Sequence, residues 1–445
     1  MPTQALHHQF PPDFTWGVAT SSFQIEGAAR EDGKADSIWD VFCRQPGVIA
    51  DASNGDVACD HYHRLEEDLD LIASLGVNAY RFSIAWARVQ PQGRGAWNEP
   101  GLDFYRRLVD GLARRNIRAF ATLYHWDLPQ ALQEQGGWAA RDTAHRFVDY
   151  ARGIQARLGD RLHAIATHNE PWVVATLGHE KGIFAPGIKD RAVAAQVSHH
   201  LLLSHGLAVQ ALRADGATAR LGIVLNFAAT QAASDSPADL AAARLADAHS
   251  RRWYSDPVFK GSYPAEALAD LGADAPRVEP GDLDIIRTPI DYLGVNYYTR
   301  YIASATRPYD AAAAGLPLTD MGWEIHPTGL TDLLCQMKAD YGDALPPVHI
   351  TENGGAFPDH ADASHRVDDQ DRIAYVRDHI AAVAEAARRG VPMAGYFVWS
   401  LMDNFEWASG YAKRFGIVHV DYATLRRTPK ASAHWYRDFL RQWGG

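Results

Sequence analysis

The sequence predicts an α/β fold, a closed (β/α)8 barrel of the TIM type, and three observations predict it. Short β-rich runs alternate with longer helical patterns from end to end, as in a parallel sheet with crossover helices. There are eight such runs, which favours closure over an open sheet. The chain of 445 residues exceeds the roughly 250 of a typical barrel, so the surplus is expected in loops.

In chain order, the strands are expected at Thr15–Ser22, Ala79–Ile84, Arg118–Tyr124, Ala164–His168, Arg220–Asn226, Tyr292–Tyr297, Val348–Thr351 and Ala394–Ser400. Helical patterns fall between them, at Arg64–Leu75, Leu102–Arg115, Thr143–Leu158, Ala192–Ala214 and Arg372–Arg389. In the first of these helices Leu65, Leu69 and Ile72 recur at i, i+4 and i+7 with acidic residues between them, an amphipathic pattern. Gly76 and Gly159 follow Leu75 and Leu158 where a C-cap belongs. The surplus is expected in Ala29–Cys59 after the first strand, Ala303–Asp320 after the sixth and Gly355–Asp368 after the seventh. All three follow strand C-termini, the face on which barrels carry their sites. No stretch reads as a linker able to divide the chain, so one catalytic domain is expected over residues 1–445.

Composition excludes several classes. With 47% hydrophobic and 22% charged residues the chain can bury a large core. A net charge of −11, with only short basic runs such as Arg114-Arg115 and Arg426-Arg427, argues against nucleic acid as a partner. The longest apolar stretch, Val391 to Met402, is too short for the roughly 20 residues a bilayer span needs. Cys43, Cys59 and Cys335 form no C-x-x-C pair, and Met1 to Phe14 lacks the basic and apolar regions of a secretory leader, so a cytoplasmic protein is expected. His61-Tyr62-His63 and His199-His200 lack ligand spacing to carboxylates or thiolates and read as helix-surface histidines, so no metal is expected. Without a G-x-G-x-x-G or Walker pattern no nucleotide cofactor is expected either. Oligomeric state stays open, a homo-oligomer included.

The polar residues at the strand ends converge. The first strand leads into Gln24 and Glu26, the second carries Arg81 and Ser83, and the third ends in His125-Trp126-Asp127. The fourth ends in Asn169-Glu170-Pro171, the sixth in Asn296-Tyr297-Tyr298, and the seventh in Thr351-Glu352-Asn353-Gly354. The eighth supplies Trp399 and then Asn404 through Trp407. Thirteen tryptophans, several beside polar residues, suit the apolar faces and hydroxyl edges of sugars.

Two glutamates stand out, because one carboxyl that donates a proton and one that attacks suffice to cleave a glycosidic bond. Glu170 precedes a proline, which favours an extended backbone there. Glu352 precedes Asn-Gly-Gly, which lets the chain turn away and leave the carboxylate on the rim. Arg81, a charge inside a strand, needs a partner. Pairing with Glu352 keeps that carboxylate ionised, while burial and the Glu352 charge raise the pKa of Glu170.

These segments resemble glycoside hydrolase family 1, and its bacterial β-glucosidases most. The resemblance rests on Thr-x-Asn-Glu-Pro, Ile-Thr-Glu-Asn-Gly, Phe-Gln-Ile-Glu-Gly, Tyr-Arg-Phe-Ser-Ile-Ala-Trp, His-Trp-Asp and Trp-Ser-Leu-Met-Asp-Asn-Phe-Glu-Trp, in order from about Phe14 to Tyr436. It implies a retaining hydrolase of terminal β-D-glucosyl residues, acting on cello-oligosaccharides and aryl or alkyl glucosides, with Glu170 as acid/base and Glu352 as nucleophile. It implies that Gln24, His125, Asn169, Glu406 and Trp407 hold the glycone, with Trp126 beside them and Trp399 as floor. Asn296 and Tyr298 are expected near Glu352, and Trp323 beside the leaving group.

Phospho-glycosidases of the family carry serine where this chain has Glu406 and tyrosine where it has Phe415, around a lysine, here Lys413. A carboxylate at 406 would repel a phosphate, so an unphosphorylated sugar is expected. His168 departs from the family's apolar or aromatic residue; it should face the helices, either as a core histidine or as a modulator of Glu170. A galactosidase or fucosidase, a transglycosidase on the same site, and a non-catalytic sugar-binding barrel are the alternative readings.

Overall fold

Eight parallel strands close on themselves in the computed structural model, which describes residue 6, residues 9–306 and residues 308–443. They are β1 (Thr15–Ala19), β2 (Ala79–Ser83), β3 (Arg118–Tyr124), β4 (Ala164–Asn169), β5 (Arg220–Asn226), β6 (Tyr292–Asn296), β7 (Val348–Asn353) and β8 (Met393–Trp399). Each pairs with its neighbours in sequence, and β1 closes the ring against β8. The expected (β/α)8 barrel is the fold. Of the N-terminal stretch read for a leader, residues 1–5 and 7–8 lie outside the described residues, as does Arg307 in the loop after the sixth strand.

The barrel interior is filled by unequal side chains. Ala19, Ala79, Ala164 and Ala166 leave room for Phe120, Tyr292 and Phe397, all buried. The rings of Phe120 and Phe397 meet edge to face at 5.0 Å between centroids. A Cβ on Gly17 would stand 2.3 Å from the Phe397 ring, so glycine there admits the ring. Burying each such ring stabilises the fold by about 1.5–3 kcal/mol. These rings close the barrel beneath its C-terminal mouth.

The helices follow the sequence closely: Leu65–Ser74, Glu99–Arg114, Arg141–Leu158, Arg191–Ala214 and Gln370–Arg388. Leu65, Leu69 and Ile72 are buried, as their spacing requires. Gly76 takes the left-handed cap conformation at φ 74°, whereas Gly159 does not and continues into a 3-10 turn. No described helix is long and apolar enough to cross a membrane.

Three expectations need correction. β1 stops at Ala19, and Ser22–Ile25 forms a helical turn, because Ser22 N–H leaves the ladder to bond Ser83 Oγ at 2.7 Å. The largest unforeseen insertion lies between β5 and β6. It holds the strand Ala229–Ala232, which pairs with Arg300–Ala303 outside the barrel, and the helices Pro237–Asp247, Trp253–Lys260 and Ala265–Leu271. Of the paired histidines only His63 is exposed; His61, His199 and His200 are buried. His61 is buried against Asp68 (2.8 Å), and His199 is buried between Asp282 and Tyr263 (both 2.9 Å). His61 lies in the turn before the helix that carries Asp68, and His199 on a helix facing Asp282 of another, so a carboxylate satisfies each ring. Among the described residues no three His, Cys, Asp or Glu side chains gather as a metal site.

Candidate active site

A cavity of about 560 Å³ opens at the C-terminal mouth of the barrel. Glu170 and Glu352 both line it, and both are almost wholly buried. Each glutamate follows a local irregularity in its strand. Against β5, β4 carries one extra residue between Ala166 and Asn169. Against β6, β7 carries one extra residue between Ile350 and Glu352, and a similar shift appears against β8. Such bulges re-aim a side chain at a strand end. Here they turn the two carboxyls into one space.

The backbone at Glu170 is not extended as the following proline suggested; its φ is 49°, in the left-handed region. Glu170 N–H is tied to the Val224 carbonyl at 2.9 Å, and Pro171 opens the next helical segment, so the surrounding bonds impose the turn. Trp126 and Trp407, also on the cavity wall, share a positive φ, at 78° and 49°. Strained backbone of this kind costs on the order of 1–3 kcal/mol per residue and gathers at functional sites. The glycine after Asn353 also serves a different purpose from the turn expected. A Cβ on Gly354 would lie 1.7 Å from the Trp399 carbonyl oxygen, so glycine lets β7 and β8 approach.

The carboxyls sit in opposite environments. Arg81 Nη1 donates to Glu352 Oε1 at 2.5 Å, and the Tyr298 hydroxyl donates to Oε2, also at 2.5 Å. Burial, and next the Glu352 charge, hold the Tyr298 phenol well above its ordinary pKa, so it remains a donor. Among the described residues Glu170 accepts one side-chain hydrogen bond, from Asn296 Nδ2 at 2.6 Å. Burial first, and the Glu352 charge second, raise the Glu170 carboxyl well above the ordinary range. Both causes favour its protonated form. One group is gripped by donors and the other is left protonated.

Asn169 and Asn296 link them. Asn169 Oδ1 accepts from Arg81 Nη2 (2.7 Å) and from Asn296 Nδ2 (3.0 Å), while Asn296 Oδ1 accepts from Thr351 Oγ1 at 2.7 Å. Asn169 Nδ2 then faces His125 Nε2 at 3.1 Å. Burial, and next the Arg81 charge, hold His125 well below its usual pKa, so its ring is neutral. Since Nε2 accepts, the proton sits on Nδ1, which is buried without a protein partner. The His125 ring lines the cavity while its Nδ1 is left without a protein partner.

Of the residues singled out in the sequence, His125, Trp126, Asn296, Tyr298, Trp323, Trp399, Glu406 and Trp407 line the cavity beside the two glutamates. Gln24, Asn169 and Arg81 are not on its wall and stand behind it. Gln24 Nε2 donates to the Phe405 carbonyl (2.8 Å), Asn404 Oδ1 (3.0 Å) and Glu406 Oε2 (3.4 Å), fixing the loop after β8. Glu26 and Asp127 do not join the cavity. Glu26 is spent on Arg88 (2.8 Å) and Tyr105 (2.5 Å), and Asp127 accepts from Ser22 Oγ at 3.0 Å. His168 faces the helices, stacked on Phe147 with Nε2 against Ser204 Oγ at 2.8 Å, a core histidine.

The sequence missed two groups. Asn226 ends β5 on the cavity wall, and the strand-end signal used elsewhere would have found it. Trp172, Leu177, Lys181, Phe184 and Met321, from loops and helical turns, and Tyr301, from the short strand Arg300–Ala303 outside the barrel, also line it, and none belongs to a barrel strand.

Comparison with known proteins gives the family. The family model described as glycosyl hydrolase family 1 matches residues 6–444. The chain is 50% identical to a β-glucosidase of Agrobacterium sp. (strain ATCC 21400) over 439 residues, covering 97% of this chain and 95% of the relative. It is 47% identical to β-glucosidase A of Acetivibrio thermocellus, covering 98% and 99%. The solved family 1 β-glucosidase of Thermotoga maritima superposes with a TM-score of 0.93 at 44% identity, covering 98% of each chain.

Proposed function

This chain belongs to glycosyl hydrolase family 1, and from that membership we propose a retaining β-glucosidase that removes terminal β-D-glucosyl residues from cello-oligosaccharides and aryl or alkyl β-glucosides. The observation that carries the assignment of roles is the asymmetry of the two carboxyls. Glu352, held by Arg81 and Tyr298, is presented as a nucleophile. Glu170, kept protonated by burial and by the Glu352 charge, is the acid.

In the first step Glu352 attacks the anomeric carbon while the Glu170 proton passes to the departing oxygen, giving a glycosyl ester and a free alcohol. Ester formation removes the Glu352 charge, which is one of the causes holding the proton on Glu170. Glu170 can then take a proton from water, whose oxygen attacks the anomeric carbon and releases Glu352. Retention of configuration follows from these two displacements and is typical of the family.

His125 and Glu406, with Gln24 behind Glu406, hold the hydroxyl edge of the glycone above Trp399. Trp323, packed on Tyr298 at 5.4 Å between centroids, flanks the leaving group. Cys43, Cys59 and Cys335 are all free, which fits a cytoplasmic setting.

The test is hydrolysis of an aryl β-D-glucoside, with the first-formed anomer read by NMR. Glu352→Ala should abolish turnover, and added azide should restore it partly with an α-configured glucosyl azide. Wild-type activity in Glu352→Ala would overturn the assignment.

A further inference from the structure

The cavity wall carries one lysine or arginine among the described residues, Lys181, and no ion pair or side-chain hydrogen bond to a described residue engages its ammonium. Its backbone is fixed. Lys181 N–H bonds the Thr176 carbonyl at 2.8 Å, and the following residues are strapped back by Ile183 and Phe184 N–H on the Leu177 carbonyl (3.0 and 3.1 Å). The exposed side chain is thus a free cation on a firm base, beside the apolar surfaces of Trp172, Leu177 and Phe184.

Lys181 also stands at a junction. A second cavity of about 330 Å³ shares Trp172, Lys181 and His249 with the first. Its other charged groups are already occupied or opposed: Arg191 and His249 both engage Asp270, and Glu180 is the neighbouring carboxylate. An anion is therefore best received on the active-site side of Lys181, where Glu180 contributes no surface. Deeper in the site the Glu352 carboxylate, already paired with Arg81, leaves no free cation for one.

Resting on the glucosidase reading above, we propose that Lys181 is a specificity-determining residue for aromatic leaving groups that carry an anionic substituent such as a carboxylate. The apolar wall takes the ring, and the ammonium takes the charge at the junction of the two cavities. The attraction acts near solvent, so it is modest and screened by salt.

The experiment compares kcat/KM for 4-carboxyphenyl and 4-carbamoylphenyl β-D-glucoside in the parent, Lys181→Gln and Lys181→Glu proteins. The ratio between parent and variant cancels the intrinsic reactivity of each substrate. The carboxyl-to-carboxamide ratio should fall about fivefold in Lys181→Gln and further in Lys181→Glu, and the parent's ratio should fall in 0.5 M salt, roughly as expected for a screened contact of about 1 kcal/mol. An unchanged ratio in both variants, with the carboxamide still hydrolysed, overturns the role of Lys181 alone. Failure of the parent to hydrolyse either glucoside overturns the glucosidase reading and this inference with it.

Discussion

Arg81 and Glu352 meet inside the barrel wall at 2.5 Å, and neither has meaningful exposure to solvent. The guanidinium does not serve Glu352 alone. Its second arm bonds Asn169 Oδ1 at 2.7 Å, and its first also reaches the Thr351 carbonyl at 3.2 Å. One rigid fork therefore registers β2, β4 and β7 against one another, and the same fork supplies the charge that faces the nucleophile. Stability and chemistry are joined at a single side chain.

Arg81→Leu should expose this coupling. Removing one partner of a buried pair leaves the other charge uncompensated, at a cost of about 3–5 kcal/mol. It also removes a donor from Glu352, for which a loss of about 10²-fold or more in kcat/KM is expected. Arg81→Lys keeps the charge but not the fork, and should fall between the two. Thermal unfolding and steady-state kinetics on the same preparations decide it. An active, fully stable Arg81→Leu protein would contradict the role.

Glu170 ties activity to pH in a defined direction. Its carboxyl is raised well above the ordinary range by burial and then by Glu352. The protonated form is the acid, so the first step should fail as pH rises through that raised value. Glu170→Ala should lose roughly 10²–10⁴-fold on poor leaving groups, much less on activated aryl glucosides, and the alkaline limb should vanish.

The same shift predicts a stability effect. As pH rises through the ordinary carboxyl range, the unfolded chain releases this proton while the folded protein keeps it. Stability therefore falls with pH until the folded value is passed. Glu170→Gln, which retains an acceptor for Asn296, should remove that slope. Its advantage in Tm over the parent should grow as pH rises above the ordinary carboxyl range. A Tm difference independent of pH would contradict the shift.

His168 stands two residues before Glu170 yet should have no part in this titration. Burial holds its ring neutral, well below the usual pKa, and it lies among Phe147, Tyr124 and Trp138 on the far side of the strand. Ser204 bonds the Leu201 carbonyl as well, so His168→Leu leaves it satisfied. The variant should lose about 1 kcal/mol of stability and leave both limbs of the pH–rate profile in place. A shifted limb would make His168 a modulator of Glu170 after all.

The sequence revealed what is local and concealed what depends on a partner. The eight strands and both glutamates were legible because an apolar run ending in a polar residue is a short-range pattern. The bulges in β4 and β7 were not, since register exists only relative to a neighbouring strand. The left-handed turn at Glu170 ran against the preference imposed by Pro171, because the Val224 carbonyl and the closed barrel outweigh it. The partners of Glu26 and Asp127 were equally hidden, so both looked like rim residues until the packing showed otherwise. Lys181 lay in a stretch whose wall-forming role only the folded loops define.

Glu406 changes the argument about phosphate. The sequence treats it as a carboxylate that repels a phosphorylated sugar, but burial and the Glu352 charge push its pKa up to about 8, against the lowering effect of the Gln24 amide. At pH 7 it is mostly neutral, able both to donate and to accept. Exclusion of a sugar phosphate then falls to other groups. Phe415 offers no hydroxyl to the cavity, and Lys413 is held by the carbonyl and carboxylate of Asp320 at 2.6 and 3.1 Å.

Two outcomes follow for Glu406. Glu406→Gln should bind an uncharged, unhydrolysed phenyl 1-thio-β-D-glucoside much as the parent does at pH 6, whereas Glu406→Ala should lose about 1–3 kcal/mol of affinity. Above pH 8 the parent's Ki should rise, because the bound sugar shuts out water that solvates the ionised carboxylate. The Glu406→Gln protein should show no such rise. A parent Ki that is flat or that tightens between pH 6 and 9 would mean that the charged form holds the glycone.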